Sequence, residues 1–266
     1  MRGRVLIVAG SDSGGGAGIQ GDIKTVTALG GYAATAITAL TAQNTRGVFD
    51  VRSVDPGFVA MQMRVVLEDI GADAIKTGML SSAAVIIAVT SVIESHAIGV
   101  PLIIDPVMVA KGGDPLLDPD AVSVLKQRLL VHADLITPNI PEAEALTGVT
   151  IRDVDDMRHA AALIRSLGPK LVLLKGGHME GKVLVDLLAS DDQEETFESR
   201  RIATPHTHGT GCALASAVAA GVAMGMSWRD AVVRARSYVQ TAILQAPGFG
   251  HGHGPLHHGH TICPFP

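Results

Sequence analysis

The sequence predicts an α/β fold in which helices cover both faces of a mainly parallel sheet. Short apolar runs typical of buried strands alternate with helical patterns along most of the 266 residues. Because parallel strands need long crossovers, usually helical, this alternation favours a three-layer α/β/α sandwich. A hydrophobic content of 47% supplies enough apolar side chains for a large core.

The strand and helix patterns follow one another in a regular order from the N-terminus. Short apolar runs predict buried strands at 4–10, 33–40, 73–79, 101–108, 133–139 and 170–177. Helical patterns predict helices at about 18–30, 56–71, 82–97, 118–133 and 153–168. Several of these helices begin at Asp, Ser or Pro and end at Gly or another turn residue, as helix caps require.

The last third of the chain departs from this order. Residues 182–189 and 195–202 are strand-like runs with no helix between them, which predicts an antiparallel edge of the sheet. Helices at 209–225 and 227–246 then complete the fold. No internal repeat or interdomain linker is evident, so we expect one domain over residues 1–258 and a C-terminal tail over 259–266.

The region before and within this tail is rich in histidine. Five of the eleven histidines lie between residues 251 and 260, where they alternate with glycine. Histidine-rich tracts can bind metal, but this alternation gives a flexible chain rather than a rigid ligand set. We therefore expect an extended segment packed near the entrance of the functional site.

Composition narrows the classes of function. A formal charge of −5, with one Trp, two Tyr and five Phe, argues against nucleic-acid binding, which favours basic surfaces and stacking rings. The two cysteines, Cys212 and Cys263, form no disulfide framework and favour a reducing compartment. The longest apolar stretches fall short of the roughly 20 residues that a membrane span needs. We expect a soluble, cytoplasmic protein without a membrane partner.

A glycine-rich segment follows the first strand. The run "GAGIQG", residues 16–21, matches the dinucleotide-binding fingerprint G-x-G-x-x-G. However, its first glycine comes six residues after the strand, and the second strand ends in "LTAQN" without an acidic residue to hold a ribose. The match therefore favours a loop that lets the backbone approach a small ligand, and it disfavours an NAD-dependent oxidoreductase.

Three charged residues follow predicted parallel strands. Lys175 ends the strand at 170–177, Asp105 follows "PLII", and Glu142 lies just beyond the strand at 133–139. Ligands of open α/β sheets bind at the carboxyl ends of the strands. Two carboxylates there could hold Mg²⁺, partly through water. The alternative for Glu142 is a first-turn residue stabilised by the helix dipole.

The run "HGTGC" begins the helix predicted at 209–225. Gly209, Thr210, Gly211 and Cys212 can direct successive N–H groups at one anion, at the positive end of a helix dipole. The same position lowers the pKa of a thiol and favours the thiolate. Two alternatives are a small buried cysteine, and a Cys/His hydrolase with His206 or His208 as its base.

Seven motifs together resemble a known family. They are "VAGSDSGGGAGIQGDIKT", "TALTAQNTRGV", "IKTGML", "IDPVMVAKGG", "LITPNIPEAEALTG", "LLKGGH" and "HGTGCALASAVAA". Their order, from about residue 4 to 255, resembles the bacterial hydroxymethylpyrimidine/phosphomethylpyrimidine kinases of thiamine biosynthesis, within the ribokinase-like superfamily. The resemblance implies ATP-dependent phosphorylation of 4-amino-5-hydroxymethyl-2-methylpyrimidine and then of its monophosphate. It also implies Mg²⁺ as a cofactor and a homodimer.

The resemblance implies a role for individual residues. Gln43 would recognise the pyrimidine, because its amide can accept from the exocyclic amine and donate to the ring nitrogen. The residues implied to line the same pocket are Gly10, Ala17, Asp22, Thr41 and Met79. Asn139 and Glu142 match the N-x-x-E element for magnesium and phosphate, with Asp105 nearby, and Lys175 would contact the ATP phosphates. Gly209, Thr210 and Gly211 would form the anion hole, and Cys212 takes the position of the catalytic Asp of sugar kinases.

Two other functions remain open. Related enzymes with a cysteine at this turn accept pyridoxine-type rings, so a pyridoxal kinase is the alternative within the superfamily. A catalytically silent, pyrimidine-binding regulator is the alternative from another class. The loop also reads "GSDSGGGAG" where many relatives have "GTDPSGGAG", which predicts a more flexible loop with different contacts.

Overall fold

The computed structural model describes residues 3–108, 116–117, 119–179 and 181–263, and a mixed sheet runs through its centre. Over these residues the sheet has nine strands in the order β3-β2-β1-β4-β5-β6-β7-β8-β9. The strands are β1 (Arg4–Asp12), β2 (Tyr32–Asn44), β3 (Gly47–Ser53), β4 (Ala74–Thr77), β5 (Leu102–Ile104), β6 (Leu135–Ile136), β7 (Leu171–Lys175), β8 (Val183–Ala189) and β9 (Glu194–Arg200).

The centre of the sheet is parallel and both edges are antiparallel. Strands β2, β1, β4, β5, β6 and β7 pair in parallel, as the alternation of strands and helices predicts. Strands β8 and β9 form the predicted antiparallel edge. Strand β3, antiparallel to β2 at the other edge, was not predicted. Most of its residues are exposed, so it lacks the buried alternation that identifies a strand in a sequence.

Eight α-helices lie in the described residues. They are α1 (Gly18–Ala28), α2 (Pro56–Asp69), α3 (Ala83–His96), α4 (Pro119–Val124), α5 (Ile140–Thr147), α6 (Val154–Arg165), α7 (Thr210–Ala223) and α8 (Trp228–Leu244). A π turn (Leu125–Leu129) and a 3₁₀ turn (Leu130–His132) continue α4, so the helix predicted at 118–133 is irregular, and residue 118 lies outside the described residues. None of the described helices has the length and apolarity needed to cross a membrane.

Polar side chains cap several helices where the sequence predicts it. Asp55, Ser82, Asp153 and Ser227 each accept a hydrogen bond from a backbone amide in the first turn of α2, α3, α6 and α8, respectively. Such caps satisfy amides that have no partner within the helix and contribute about 1 kcal/mol each. The predicted helix starts are therefore confirmed at these positions.

Two apolar cores separate the sheet from its helix layers. Along β1, Leu6 and Val8 pack into a core with α2 to α6, whereas Val5 and Ile7 pack into a core with α1, α7 and α8. Because side chains alternate across a strand, one apolar run supplies both faces. The predicted three-layer α/β/α architecture is confirmed. It brings the carboxyl ends of the parallel strands to one edge, beside the start of α7.

Candidate active site

The turn at residues 209–211, which the sequence predicts to bind an anion and which we call the anion turn, leads directly into α7. Gly209 is the N-cap residue of this helix and has a left-handed backbone, with φ of 84°. A side chain there would overlap the carbonyl oxygen of Gly16, so both the backbone angle and the close approach require glycine. The turn therefore lies directly against the glycine-rich loop, which we define as residues 13–18.

Asp12 organises this glycine-rich loop. Its Oδ1 accepts from the Gly14 amide at 2.8 Å, and its Oδ2 accepts from the amides of Gly16 and Ala17 at 3.1 and 2.8 Å. Nε2 of His208 lies 2.8 Å from the same Oδ2. Burial opposes ionisation of Asp12, but the bonds from His208 and the amides outweigh it and lower the pKa of this carboxyl. No role for Asp12 was expected from the sequence.

Cys212 lies on the first turn of α7, next to both segments. The amide of Gly18 donates a hydrogen bond to its sulfur. Although the residue keeps partial contact with solvent, burial raises the pKa of its thiol to about 12, and the nearby charge of Lys76 offsets this only in part. The surroundings of Cys212 therefore favour the neutral thiol, whereas its position at a helix start favours the thiolate. Loss of water around the sulfur is the largest cause of this pKa shift.

The hydrolase alternative has no support in this geometry. Nε2 of His208 is bonded to Asp12, and in the described residues no hydrogen bond joins a histidine to Cys212. A neutral thiol without a base is a poor nucleophile.

Lys175 and Asp105 come together at the strand ends, as predicted. Lys175 Nζ lies 3.2 Å from Asp105 Oδ1, and the Thr137 hydroxyl donates to the same oxygen at 3.2 Å. A Cβ placed on Gly211 would lie 3.2 Å from Lys175 Nζ, so this ammonium group adjoins the anion turn. Burial opposes its charge, but Asp105 and Glu142 together raise the pKa of Lys175. The site thus holds a permanent positive charge beside the turn.

Asn139 and Glu142 form a capping box at the start of α5. The Asn139 side chain accepts from the Glu142 amide at 2.9 Å, and Glu142 Oε2 accepts from the Asn139 amide at 2.8 Å. Glu142 therefore lies in the first turn of α5, as the alternative predicts. Burial is the main reason that the pKa of Glu142 is raised to about 7, and Asp105 raises it further.

The donor set can be tested for magnesium without assuming a bound ion. In the residues that the structure describes, no group of three or more His, Cys, Asp or Glu side chains could hold a metal. Magnesium usually takes only one or two carboxylates, together with water and substrate phosphates. Asp105 and Glu142 each keep a second oxygen beyond the bonds above, so their chemistry fits an ion bound jointly with phosphate.

Most residues implied to line the substrate pocket lie around the glycine-rich loop. The Ser13 hydroxyl donates to the Gln43 carbonyl, and the Gln43 amide donates to the Ser13 oxygen, both at 2.8 Å. The Thr41 hydroxyl lies 3.2 Å from Gln43 Oε1. A Cβ on Gly10 would lie 3.0 Å from the sulfur of Met79. Ser13 therefore bonds to the backbone of Gln43.

The resemblance implies that Asp22 lines the substrate pocket, and the structure pairs this residue with a buried lysine. The Asp22 side chain is fully buried, and both carboxylate oxygens lie 2.9 Å from Lys76 Nζ. The Ser216 hydroxyl also donates to Asp22 at 2.7 Å. Burial raises the pKa of Asp22, while Lys76 opposes this shift. Asp22 therefore compensates a buried lysine beneath the site.

Lys76 is a residue of the site region that sequence analysis missed. It is fully buried within β4, and its charge acts on Cys212 and Asp105 as well as on Asp22. Isolated lysines are almost never fully buried, because the desolvation of their charge is costly. A lysine inside the apolar run "DAIKTGM" was the available signal.

The histidine-rich segment lies beside the anion turn, as expected. The His208 amide donates to the Gly254 carbonyl at 3.2 Å, and a parallel bridge joins His208 to Pro255. Farther out, the His253 amide donates to the carbonyl of Thr45, in the turn between β2 and β3, at 2.8 Å. The segment thus connects the anion turn with the hairpin that carries Gln43. The last three residues of the predicted tail, 264–266, lie outside the described residues.

The start of a helix beside a lysine and two carboxylates is an arrangement that phosphoryl-transfer proteins of the α/β class use to hold phosphate. The sequence matches the family described as phosphomethylpyrimidine kinase over residues 12–257. The chain belongs to this family.

Individual relatives agree with this assignment. The chain is 52% identical to a thiamine biosynthesis bifunctional protein of Geobacter sulfurreducens over 97% of its own length but only 52% of that protein. It is 47% identical to a hydroxymethylpyrimidine/phosphomethylpyrimidine kinase of Streptomyces coelicolor, covering 97% of this chain and 95% of the relative.

Solved structures show the same fold. A phosphomethylpyrimidine kinase of Clostridium difficile 630 is 41% identical with a TM-score of 0.81, covering 90% of this chain and 99% of that one. An ADP complex of Bacillus subtilis pyridoxal kinase is 35% identical with a TM-score of 0.90, covering 97% and 98%. These similarities confirm the ribokinase-like fold and a kinase.

Proposed function

We propose that this kinase transfers the γ-phosphoryl group of ATP to 4-amino-5-hydroxymethyl-2-methylpyrimidine and then to its monophosphate, in cytoplasmic thiamine biosynthesis. The observation that carries the proposal is the position of the Lys175 ammonium group beside the anion turn at Gly211 and next to Asp105. This arrangement can hold a transferring phosphoryl group between a cation and backbone amides. The names of the relatives at 52% and 47% identity support the substrate and the pathway.

The acceptor ring is proposed to bind between the glycine-rich loop and the end of β2. Gln43 supplies an amide that matches the amine and ring nitrogen of an aminopyrimidine. Its backbone is held by Ser13, and Thr41 lies beside its side chain, so the amide is positioned before substrate binds. Gly10, Ala17 and Met79 complete the proposed wall. This leaves the 5-hydroxymethyl group facing the start of α7.

Transfer is proposed to depend on positioning and charge stabilisation. The amides of the anion turn and the Lys175 ammonium face the charge that spreads over the phosphoryl oxygens in the transition state. Cys212 is proposed to position the acceptor hydroxyl rather than to remove its proton, because its thiol is neutral near pH 7. A loose transition state makes little demand on early deprotonation of the acceptor.

Magnesium is proposed as the cofactor, with Asp105 and Glu142 as the acidic residues that hold it. When bound, the ion neutralises charge on the ATP phosphates. Asn139 is proposed to support the ion indirectly, because its side-chain oxygen is committed to the amide of Glu142. Glu142 must give up its proton to serve as a ligand, and its pKa of about 7 places that step near neutral pH.

An ADP-release assay tests the proposed function. The hydroxymethyl compound, its monophosphate and pyridoxal are compared side by side, with ATP and Mg²⁺ in each reaction. We expect turnover of both pyrimidines, and absence of turnover with either would refute the proposal. Pyridoxal remains a second candidate substrate, because structural similarity to pyridoxal kinases reaches a TM-score of 0.90. Pyrimidine binding without ADP release would instead support the silent regulator.

A homodimer is proposed from the surface of α2. Its residues Phe58, Met61 and Val65 lie three and four residues apart. Each is at least half exposed, at 54%, 50% and 56%, respectively. This spacing places them on one face of the helix, where a second copy of the chain could cover them. We expect a dimer in light scattering and a monomer after Met61→Glu. A wild-type protein that is monomeric at micromolar concentration would refute the assembly.

A further inference from the structure

We propose that Asp12 and His208 form a positioning pair that locks the glycine-rich loop against the anion turn and thereby fixes Cys212. The inference deepens the proposed function, since it concerns the geometry of phosphoryl transfer at the same site. Neither residue is placed against the substrate. They act through the two backbone segments that they join.

The first part of the argument concerns the loop itself. Three consecutive glycines at residues 14–16 have no side chains to restrict their backbone, and Gly15 has φ of 76°. The Asp12 carboxylate accepts hydrogen bonds from the amides of Gly14, Gly16 and Ala17. One side chain therefore satisfies half of the amides in the segment. Without that carboxylate, the loop keeps its bonds to Gln43 and Lys24 but loses three bonds that restrict the backbone of its glycines.

The second part concerns the anion turn. His208 immediately precedes Gly209, and its ring reaches Asp12, which is 196 residues away in the chain, at 2.8 Å. Both residues are buried, at 8% and 2% exposure, so water competes little for this bond. Hydrogen bonds to a charged group are about twice as strong as neutral ones. The backbone of His208 is held on its other side by Gly254, so the ring has a fixed origin.

The consequence reaches Cys212 through both segments. The loop ends at Gly18, whose amide donates to the Cys212 sulfur, and the turn touches the loop at Gly16. A shift of the loop therefore changes the surroundings of the sulfur and the direction of the turn amides together. A misplacement of about 1 Å at a reacting centre can reduce the rate about 100-fold.

A double-mutant cycle tests the pair. The variants are Asp12→Asn, His208→Ala and their combination, and the readout is kcat/KM for the hydroxymethyl compound. We expect kcat/KM to fall about 10- to 100-fold in each single variant. In the double variant it should fall no further than in the less active single variant. Losses that multiply in the double variant would show that the two residues act independently, and they would overturn the proposal.

Two further variants separate positioning from general damage. His208→Gln keeps a side-chain donor, so its kcat/KM is expected to be at least about tenfold higher than that of His208→Ala. Equal activity of the two variants would count against the pair. Lys24→Met is the matched control, because Lys24 Nζ also binds the loop, at the Gly15 carbonyl, but on the exposed surface. We expect kcat/KM of Lys24→Met to change by less than about threefold. A loss as large as that of His208→Ala would show that the buried bond between Asp12 and His208 has no special role.

Hydrogen exchange keeps the proposal testable if a variant is inactive or folds poorly. In His208→Ala we expect faster amide exchange in residues 13–18 and 209–212, with the strands of the sheet centre unchanged. Faster exchange throughout the sheet would show a global stability role and overturn the proposal. This readout needs no turnover, so it also separates failure of the pair from failure of the proposed function, which the wild-type ADP assay tests on its own.

Discussion

Replacing Glu142 by Gln is expected to stabilise the protein while it impairs the reaction. Glu142 is 8% exposed, and burial raises its pKa from 4.5 to about 7. Between these values the folded state keeps a proton that the unfolded chain releases, so wild-type stability falls as the pH rises through this window. A shift of this size corresponds to about 3 kcal/mol once the pH exceeds the folded pKa.

Glutamine reproduces the uncharged form of Glu142 at every pH. It can also complete a capping box, because its amide oxygen can accept from the Asn139 amide as Glu142 Oε2 does. The free energy of unfolding of Glu142→Gln should therefore match the wild type at about pH 4.5, and exceed it by about 1 to 3 kcal/mol at about pH 8. Activity should fall at least about tenfold, because a neutral amide is a weak magnesium ligand.

Urea denaturation at about pH 5, 6.5 and 8, with EDTA present, measures this difference. EDTA removes bound magnesium, which would otherwise stabilise the ionised wild type. The reasoning would be refuted if the difference did not grow with pH, or if Glu142→Gln were the less stable protein at about pH 8. Glu144→Gln is the control, since Glu144 lies on the same helix and the structure gives it no contact with Asp105 or Lys175.

Three other changes probe the site. The thiol of Cys212 should react with iodoacetamide far more slowly at neutral pH than the thiol of exposed Cys263, because its pKa is raised to about 12. Peptide mass spectrometry measures the labelling of each cysteine, and equal labelling would contradict this expectation. Gly209→Ala should lose most turnover and destabilise the protein by about 2 kcal/mol or more. The new methyl group would overlap the backbone of the glycine-rich loop, and alanine is strained at a positive φ. ADP release near the wild-type rate would contradict this expectation. Lys76→Met should lower the free energy of unfolding by about 3 to 5 kcal/mol, because it leaves the buried charge of Asp22 without its lysine. Adding Asp22→Asn should restore much of this stability. A double variant as unstable in urea as the single variant would contradict the pairing.

Local patterns predicted most of the architecture. Apolar runs and helical patterns identified the parallel strands and the layers, because burial of one face imposes a period on the sequence. The same holds for "HGTGC" and "TPNIPE", where the chemistry of a turn or a cap is contained within a few neighbouring residues. Strand β3 escaped prediction because an exposed edge strand imposes no such period.

Which charged groups meet depends on the packing of segments that are distant in the sequence. Lys76 and Asp22 are 54 residues apart and Asp12 and His208 are 196 apart, so no local pattern links the partners. The same limit applies to the protonation of Cys212. Its position at a helix start was visible in the sequence and favours a thiolate, whereas the pKa is set mainly by burial.

The layers and the family can be inferred from the sequence alone, since they depend on periodicity and on contiguous motifs. The fold decided the protonation of Cys212 and Glu142, the burial of Asp22 and the contact between the glycine-rich loop and the turn. These properties depend on how much water each group loses and on the charges brought within a few ångströms of it. Both quantities arise only when distant segments pack together.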